Sequence, residues 1–348
     1  MTDSNPSKPR VLSGMRPTGK LHLGHLVGAL DNWVRLQDKY DCFYFIADWH
    51  ALTTDYADTS RVKQNILEMS YDWLAAGLDP EKSVIFTQSH VPQHAELFLL
   101  LSMITPLGWL ERVPTYKEQR DNIKDKDLGN YGFLGYPVLQ AADIVIYRAS
   151  YVPVGEDQVP HLEITREVTR RFNSFYGEVF PEPQPLLTPV PKLPGTDGRK
   201  MSKSYGNAIL LSEPEADIRQ KLKTMVTDPA RVRRTDPGNP EVCPVFSLHK
   251  IYSPPDTIAD VVKGCTTAGI GCIQCKGWVA DNLITQIKPL QERRAKYEQN
   301  PRGVWDMLEA GSARAGKIAE ETMVAARSAM NFSKEFEAAP KSANGSAL

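Results

Sequence analysis

The chain has 348 residues, of which 41% are hydrophobic and 24% are charged, and its formal net charge at pH 7 is −1. This length is enough for two domains with buried cores, and the near-neutral charge means that any phosphate-binding surface must be a local patch. No apolar run approaches the length of a membrane span, and residues 1–10 lack the apolar core of a secretory signal, so we expect a cytoplasmic protein that does not enter a membrane.

Strand and helix patterns alternate through the first part of the chain. Strand patterns, rich in β-branched and aromatic residues, occupy 9–14, 42–48, 83–89 and 147–155. Helical patterns, with apolar residues at i, i+3 and i+4, occupy 23–34, 60–78 and about 159–173. This alternation predicts an α/β domain with a parallel sheet at 10–205, preceded by a disordered polar tail at 1–9.

Helical patterns dominate after residue 205. Three amphipathic segments occupy 215–226, 278–300 and 304–330. We expect a mostly helical domain at 206–310 and a C-terminal helix at 311–335 that packs back on the α/β domain. Residues 336–348 are small and polar, and we expect them to be disordered.

The stretch "GMRPTGKLHLGH", residues 14–25, fits two nucleotide-binding motifs. Gly19 and Lys20 have the positions of a P-loop glycine and lysine. However, Leu21 stands where that loop needs a Ser or Thr hydroxyl for Mg²⁺, and Pro17 removes a backbone N–H donor. The P-loop is therefore excluded by its chemistry although its glycine spacing fits.

The second motif is an H-x-G-H turn. His22 and His25 stand three residues apart at the start of a helix, so both rings can project toward one side. Gly24 lets a nucleotide approach the backbone closely, and the helix N-terminus favours phosphate. Alone, such a short pattern is weak, and two solvated histidines in a loop remain an alternative.

The loop "GRKMSKSYGN", residues 198–207, carries two lysines, Lys200 and Lys203, around small hydroxyl residues. Such a loop can close over a triphosphate and place two positive charges beside the departing pyrophosphate. A basic loop by itself is usually a solvated turn. The five residues KMSKS following an H-x-G-H turn predict one joint ATP site.

With these two motifs in this order, the chain resembles the class I aminoacyl-tRNA synthetases, whose hallmark motifs are HIGH and KMSKS. The segments "RPTGKLHLGHLVGAL", "ADWHALT", "YPVLQAADIVIY" and "VPVGEDQVPHLEITREVTRRFN" narrow the resemblance to the tryptophanyl-tRNA synthetase family. It covers nearly the whole chain. The resemblance implies a Rossmann-type catalytic domain, an anticodon-binding helical domain, and a homodimer that uses ATP and Mg²⁺ to charge tRNA(Trp) with L-tryptophan.

The resemblance places the indole-binding carboxylate at Asp143. Indole has one N–H donor, so its pocket needs a buried acceptor, and leaving that acceptor unpaired can reject Phe by about 10⁴-fold or more. Spacing alone would favour a helix-end Asp. Tyr136 and Gln158 match contacts to the ammonium and carboxylate groups of the substrate. Gln140 lines the pocket where some relatives have Met, and His50 lies beside the pocket or is structural.

The resemblance also assigns residues to ATP and to catalysis. Gly155 would admit adenosine, Asp157 would accept from ribose hydroxyls, and Lys117 could add a charge near the triphosphate. Relatives carry a second lysine where this chain has Gln119, which weakens the assignment of that loop. The catalytic set is His22, His25, Lys200, Ser202 and Lys203. The ATP-binding set is Arg16, Pro17, Thr18, Gly24, His25, Lys117, Gly155, Glu156, Asp157, Lys200, Met201, Ser202, Lys203 and Ser204.

Four cysteines lie close together in the predicted helical domain. Cys243, Cys265, Cys272 and Cys275 have the spacing C-x₂₁-C-x₆-C-x₂-C, which suits tetrahedral Zn²⁺ or a [4Fe–4S] cluster. A subgroup of the resembled family carries a four-cysteine [4Fe–4S] site in nearly this arrangement, with a first gap one residue longer. The resemblance implies [4Fe–4S], with Zn²⁺ or four unligated thiols as alternatives. Cys42, in a strand pattern, is expected in the core.

Three other functions remain open from sequence alone. A tyrosyl-tRNA synthetase has the same architecture, and a nucleotidylyltransferase shares the H-x-G-H turn and adenylyl chemistry. A nucleotidylyltransferase would need neither "GEDQVPHLEITREVTRRFN" nor a large helical domain. A non-catalytic paralogue is disfavoured because both histidines and both lysines are intact.

Overall fold

A five-stranded parallel sheet forms the first part of the molecule. The computed structural model describes residues 8–113, 116, 128–155, 159–187 and 193–332. The strands are β1 (Arg10–Met15), β2 (Asp41–Ile46), β3 (Ser83–Thr87), β4 (Tyr151–Val154) and β5 (Gln184–Leu187). Their order in the sheet is β3-β2-β1-β4-β5. The expected Rossmann-type parallel sheet is confirmed.

The central strands are buried on both faces. In the parallel pairing of β1 with β2, Val11 lies opposite Cys42, and both side chains are inaccessible to solvent. Sheets covered by helices on both faces favour continuous apolar runs such as "CFYFI", which explains why these strands are readable from sequence. The strand β5 was not predicted, because "QPLL" is short and half-exposed at the sheet edge.

Helices cover both faces of the sheet and build the rest of the molecule. In the first part they are α1 (Leu23–His25), α2 (Asp31–Leu36), α3 (Asp48–Asp55), α4 (Val62–Ala76), α5 (Gln93–Ile104), α6 (Leu107–Leu110), α7 (Tyr131–Val145) and α8 (Val159–Tyr176). A π-helical turn, Leu26–Leu30, joins α1 to α2. The later helices are α9 (Glu215–Thr224), α10 (Pro244–Tyr252), α11 (Pro255–Thr266), α12 (Cys272–Glu298) and α13 (Pro301–Ala329). No described helix is both long and apolar enough to span a bilayer.

The carboxyl ends of four strands converge at one edge of the sheet. The "RPTGKLHLGH" segment follows β1, α3 follows β2, and Gln88 and Gly155 follow β3 and β4. Ligands of open parallel sheets bind at this edge. The predicted site residues in these segments are therefore neighbours in space although they are far apart in sequence.

The C-terminal helix α13 packs against the sheet and runs without a break across residue 310. It lies against the outer edge of β3: a Cβ on Gly311 would stand 1.8 Å from the Ile85 carbonyl oxygen. Next to it, the Ser312 hydroxyl accepts a hydrogen bond from the Thr87 amide at 3.4 Å. The helix thus covers the edge that β3 would otherwise leave open.

Candidate active site

The two motif segments meet in space. The Leu23 amide donates to the Ile209 carbonyl at 3.0 Å, and the Leu211 amide donates to the Leu21 carbonyl at 2.9 Å. These bonds pair the H-x-G-H turn with the chain that follows the basic loop. Turn and loop therefore border one site.

Lys203 of the basic loop reaches across to the residues before the turn. Its Nζ donates to the Thr18 hydroxyl at 3.1 Å, to the Lys20 carbonyl at 2.9 Å and to the Thr18 carbonyl. These contacts use all the donors of an ammonium group. Burial lowers the pKa of Lys203, and the negative charge of Asp72 opposes that shift.

The rings of His22 and His25 lie against each other with centroids 3.8 Å apart and planes tilted by 36°. The Gly24 amide donates to Nδ1 of His22 at 3.1 Å, and the His22 amide donates to Nδ1 of His25 at 3.3 Å. Burial, followed by the charges of Lys203 and Lys200, lowers the pKa of His22 to about 4. Burial, followed by His22 and Lys203, lowers the pKa of His25 to about 3. Both rings are neutral at pH 7, and each can donate its Nε2–H to a phosphate oxygen.

Asn207, which the sequence analysis did not single out, holds the basic loop in shape. Its buried side chain accepts from the Ser202 amide at 2.8 Å. It donates to the Lys200 carbonyl at 3.2 Å and to the Asp197 carboxylate at 2.7 Å. An amide that both donates and accepts is the side chain needed to close such a loop. Its only signal in the sequence is the "YGN" after KMSKS.

Of the other predicted site residues of the basic loop, one is buried in the core and two are exposed to solvent. Met201 is buried, and a Cβ on Gly24 would stand 3.9 Å from the Met201 Cβ, so the loop packs directly on the turn. Lys200 and Ser204 are exposed, where a ligand can reach them.

A cavity of about 440 Å³ opens at the carboxyl edge of the sheet beside the turn. This volume lies in the range of small-molecule pockets. Phe45, Phe133 and Ile144 contribute to its apolar wall. Its polar lining consists of Ser13, Arg16, His50, Thr53, Tyr136, Gln140, Asp143 and His161, and Gly14 and Gly155 expose backbone to it. An apolar wall with a few polar groups suits a bicyclic aromatic ligand with charged ends.

Asp143 lies in α7 with 1% of its side chain exposed. Gln88 Nε2 donates to its Oδ1 at 2.7 Å and to its Oδ2 at 2.9 Å. His94 Nδ1 lies 2.6 Å from Oδ1, and His50 Nε2 lies 2.9 Å from Oδ2. A carboxylate offers about four lone-pair sites, so these contacts occupy all of them. Burial alone would raise the pKa of Asp143, but hydrogen bonds from His50 and His94 hold it below its usual range.

Gln88 and His94 are functional candidates that the sequence analysis missed. Both are fully buried, and His94 Nε2 lies 2.7 Å from the Tyr147 hydroxyl. Burial, followed by the charge of Asp143, raises the pKa of Tyr147 well above its usual value. A signal was present in "QSHVPQH", where polar residues directly follow a buried strand. Of the three residues that bind Asp143, only His50 lines the cavity.

The other predicted residues are placed as follows. Arg16 binds the Thr54 hydroxyl and lies 3.5 Å from the Asp55 carboxylate, and its Nε has no hydrogen-bond partner among the residues described. Burial lowers the pKa of Arg16, and Asp55 opposes the shift. Pro17 is buried beside it. Four predicted residues, Lys117, Glu156, Asp157 and Gln158, lie outside the described residues.

The four clustered cysteines come from three helical segments. Cys243 precedes α10, Cys265 lies in α11, and Cys272 and Cys275 begin α12. Burial, followed by the other three cysteines, raises the pKa of Cys275 to about 12, so the four thiols are near enough to interact. Within the described ranges, no group of three or more His, Cys, Asp or Glu side chains is arranged to hold a metal ion. Cys42 is in the core, as predicted.

Comparisons with known proteins cover nearly the whole chain. The family described as "tRNA synthetases class I (W and Y)" matches residues 4–287. A tryptophan–tRNA ligase of Thermotoga maritima is 56% identical over 93% of this chain and 99% of its own. One of Ralstonia nicotianae is 49% identical over 93% of this chain and 98% of its own. The crystal structure of tryptophanyl-tRNA synthetase from Campylobacter jejuni with ADP and tryptophan is 34% identical. It aligns with a TM-score of 0.84 over 92% of this chain and 99% of its own.

Proposed function

The chain belongs to the class I tRNA synthetases of the tryptophan and tyrosine group, and from this premise we propose how its residues carry the reaction. Its activity is that of a tryptophan–tRNA ligase. It activates L-tryptophan with ATP to tryptophanyl-adenylate and transfers the amino acid to the terminal ribose of tRNA(Trp). The tyrosyl and nucleotidylyltransferase alternatives are not favoured, because the relatives with high identity over nearly the full chain are tryptophan–tRNA ligases.

In the first step, a tryptophan carboxylate oxygen attacks the α-phosphorus of ATP. A new P–O bond forms while the bond to pyrophosphate breaks, and the electron pair leaves with pyrophosphate. Such transfers need positioning and charge stabilisation rather than a protein nucleophile. In the second step, the 2′-hydroxyl of the terminal ribose attacks the adenylate carbonyl. An ester C–O bond forms while the anhydride C–O bond breaks, AMP leaves with that electron pair, and the hydroxyl proton passes to the departing phosphate or to solvent.

One observation carries the ATP assignment. Lys203 Nζ donates hydrogen bonds to Thr18 and Lys20, and these contacts lie beside the two neutral histidines of the H-x-G-H turn. We assign Nε2–H of His22 and His25 to phosphate oxygens, because both Nδ1 atoms already accept backbone amides. Lys200 and Lys203 stabilise the departing pyrophosphate, and Ser202 and Ser204 donate to its oxygens. Mg²⁺, which accompanies ATP in this reaction, would neutralise part of the phosphate charge.

The adenosine and triphosphate contacts complete the ATP-binding set. Arg16, Pro17 and Thr18 follow β1, and Gly155 follows β4, so both segments border the cavity or the turn. Arg16 Nε has no hydrogen-bond partner in the part of the chain that the structure describes, which supports a ligand at this position. Glu156, Asp157 and Lys117 remain assigned by resemblance alone.

Tryptophan occupies the cavity with its indole toward Asp143. The carboxylate is ionised and buried, so it is a strong acceptor for the indole N–H. All its lone-pair sites are in use, and His50 is the donor at the cavity surface. We therefore propose that indole binding replaces the His50 contact, while Tyr136, Gln140 and Gln158 contact the remainder of the substrate.

The test of the ATP assignment is Lys203→Ala. We expect the kcat of tryptophan-dependent ATP–pyrophosphate exchange to fall by about 100-fold or more while the Kd for tryptophan changes less than about twofold. The control is Lys82→Ala, since Lys82 pairs with Asp38 on the surface at 2.8 Å. Unchanged exchange in Lys203→Ala would remove the leaving-group assignment.

We propose that the four cysteines hold a [4Fe–4S] cluster in the helical region, with Zn²⁺ as the alternative. The donor set fits, because four interacting thiols gather beside Arg231, whose Nη1 lies 3.8 Å from Cys265 Sγ and can balance thiolate charge. The fit rests on donor chemistry and not on coordination geometry. A brown protein that binds iron and sulfide supports the cluster, whereas a colourless protein holding zinc contradicts it. Either group would have a structural role.

We further propose a cytoplasmic homodimer, in line with the family. Large apolar side chains are exposed near one another: Leu99 and Met103 lie four residues apart on α5, and Tyr131 contacts Phe98. Exposed apolar groups of this kind mark protein contacts. Met103→Glu should shift the sedimentation mass toward the monomer, and Val232→Glu, at an apolar side chain that is even more exposed, should not. A wild-type monomer would contradict the dimer.

A further inference from the structure

A buried chain of charges connects the helical region to the basic loop. Its first member is Arg294 on α12, with only 2% of its side chain exposed. Arg294 Nη1 lies 2.5 Å from the Asp72 carboxylate on α4 and donates to the Glu68 carbonyl at 3.0 Å. Its Nη2 pairs with Glu68 and, at 3.0 Å, with Glu298. A buried guanidinium with this many acceptors is fixed in one orientation.

Asp72 contacts both Arg294 and the residue that precedes the H-x-G-H turn. Its side chain is fully buried, and the oxygen that does not face Arg294 accepts a hydrogen bond from the Leu21 amide at 2.7 Å. Burial raises the pKa of Asp72 to about 6, and the charge of Arg294 opposes that rise. Removing Arg294 would leave a buried carboxylate without its main counter-charge.

One peptide group then joins Asp72 to Lys203. The amide of Leu21 and the carbonyl of Lys20 belong to the same planar unit, so they point in opposite directions. The amide donates to Asp72, and the carbonyl accepts from Lys203 Nζ at 2.9 Å. Asp72 therefore fixes the direction of the Lys20 carbonyl, which accepts from Lys203 and lies two residues before His22.

We propose that Asp72 and Arg294 are positioning residues for Lys203. Through the Lys20–Leu21 peptide they hold the ammonium group of Lys203 at the ATP site before the nucleotide arrives. When ATP binds, its phosphate oxygens replace the protein oxygens as the hydrogen-bond acceptors of Lys203 Nζ. The inference rests on the role proposed above for Lys203 in pyrophosphate departure.

The first experiment measures tryptophan-dependent ATP–pyrophosphate exchange. Arg294→Met should lower kcat by about tenfold and leave the KM for tryptophan within about twofold. Arg294→Lys, which keeps the charge, should recover most of the loss. The matched control is Arg293→Met: Arg293 also contacts α4, donating to the Ala75 carbonyl at 2.7 Å, but does not contact Asp72. An equal loss in Arg293→Met would overturn the proposal.

The second experiment combines Arg294→Met with Lys203→Ala. If Arg294 acts through Lys203, Arg294→Met should change kcat by less than about twofold once Lys203 is alanine. If Lys203→Ala alone leaves exchange unchanged, the role of Lys203 fails and this inference fails with it. If Lys203→Ala slows exchange and Arg294→Met costs the same factor in both backgrounds, only the inference is overturned.

Folding is checked by circular dichroism and thermal unfolding of each variant. If Arg294→Met does not fold, Asp72→Asn takes its place and is likewise measured alone and in combination with Lys203→Ala. Asp72→Asn keeps the shape but has one acceptor oxygen, so its NH₂ must face either Arg294 or the Leu21 amide and one of these two contacts is lost. It should lower kcat with Lys203 present and change it by less than about twofold with Lys203→Ala. An equal loss in both backgrounds would overturn the inference.

Discussion

Replacing Asp143 with asparagine removes one acceptor oxygen from a carboxylate that accepts from Gln88, His94 and His50. The asparagine NH₂ must face two of the four donor contacts. Hydrogen bonds to charged groups contribute roughly 1.5–3 kcal/mol each, so we expect Asp143→Asn to lower the free energy of unfolding by about 3 kcal/mol. In the proposed tryptophan complex, the indole N–H also loses a charged acceptor of similar strength. The KM for tryptophan should therefore rise by about 10- to 100-fold.

The assay is ATP–pyrophosphate exchange with tryptophan varied at saturating ATP and ATP varied at saturating tryptophan. The KM for ATP should stay within about twofold. Asp48→Asn is the control, because Asp48 is a buried carboxylate that accepts the Ser89 amide at 3.0 Å and does not line the cavity. An unchanged KM for tryptophan in Asp143→Asn, or equal rises for both substrates, would refute the assignment of Asp143 to indole.

The pH dependence of the same variant follows from the lowered pKa of Asp143. A carboxyl whose folded-state pKa is depressed contributes its stability above the unfolded value, near 4, and loses it as pH falls through the folded-state pKa. The difference in unfolding free energy between the wild type and Asp143→Asn should stay constant from about pH 7 to pH 5. It should shrink below about pH 4.

Asn207→Ala should lower the kcat of pyrophosphate exchange by about 10-fold or more, because three hydrogen bonds that shape the basic loop are lost; a matching rise in the KM for tryptophan would contradict this. Gly311→Ala places a Cβ against the Ile85 carbonyl and should cost about 3 kcal/mol or more in a denaturant titration. A Cβ at Gly316 on the same helix meets no atom of the described residues within 4 Å, so Gly316→Ala should stabilise by up to about 1 kcal/mol. Equal effects of the two substitutions would disprove the close approach at Gly311. Because the folded-state pKa of His25 is about 3, its stability contribution falls as pH drops from the unfolded value of about 6.5 toward the folded one. His25→Asn should therefore lose less unfolding free energy than the wild type between about pH 7.5 and pH 5, and an equal loss would contradict this.

Sequence patterns predicted the parallel sheet because its central strands, such as "CFYFI", are buried on both faces and read as apolar runs. The convergence of the H-x-G-H turn with KMSKS was also predictable, since both motifs have one joint chemistry. The edge strand β5 was not, because "QPLL" is short and half-exposed and thus carries little pattern.

The supporting residues of the site were largely beyond sequence reasoning. Gln88, His94 and Asn207 act through side-chain contacts that depend on where separate segments meet. The pair of Asp72 and Arg294 spans 222 residues of sequence, and each residue alone looks like an ordinary charged position on a helix. Only the packing of α12 against α4 shows that both are buried.

The close packing of α13 on β3 has a consequence for folding while the chain is being synthesised. Strand β3 ends at Thr87, whereas α13 runs from Pro301 to Ala329. At about 5–20 residues per second, the ribosome needs on the order of 10 to 50 seconds to make the intervening chain. Throughout that interval the β3 edge of the nascent sheet lacks the helix that covers it, and α13, the last of the described helices to be made, is the one that protects this edge from joining another polypeptide.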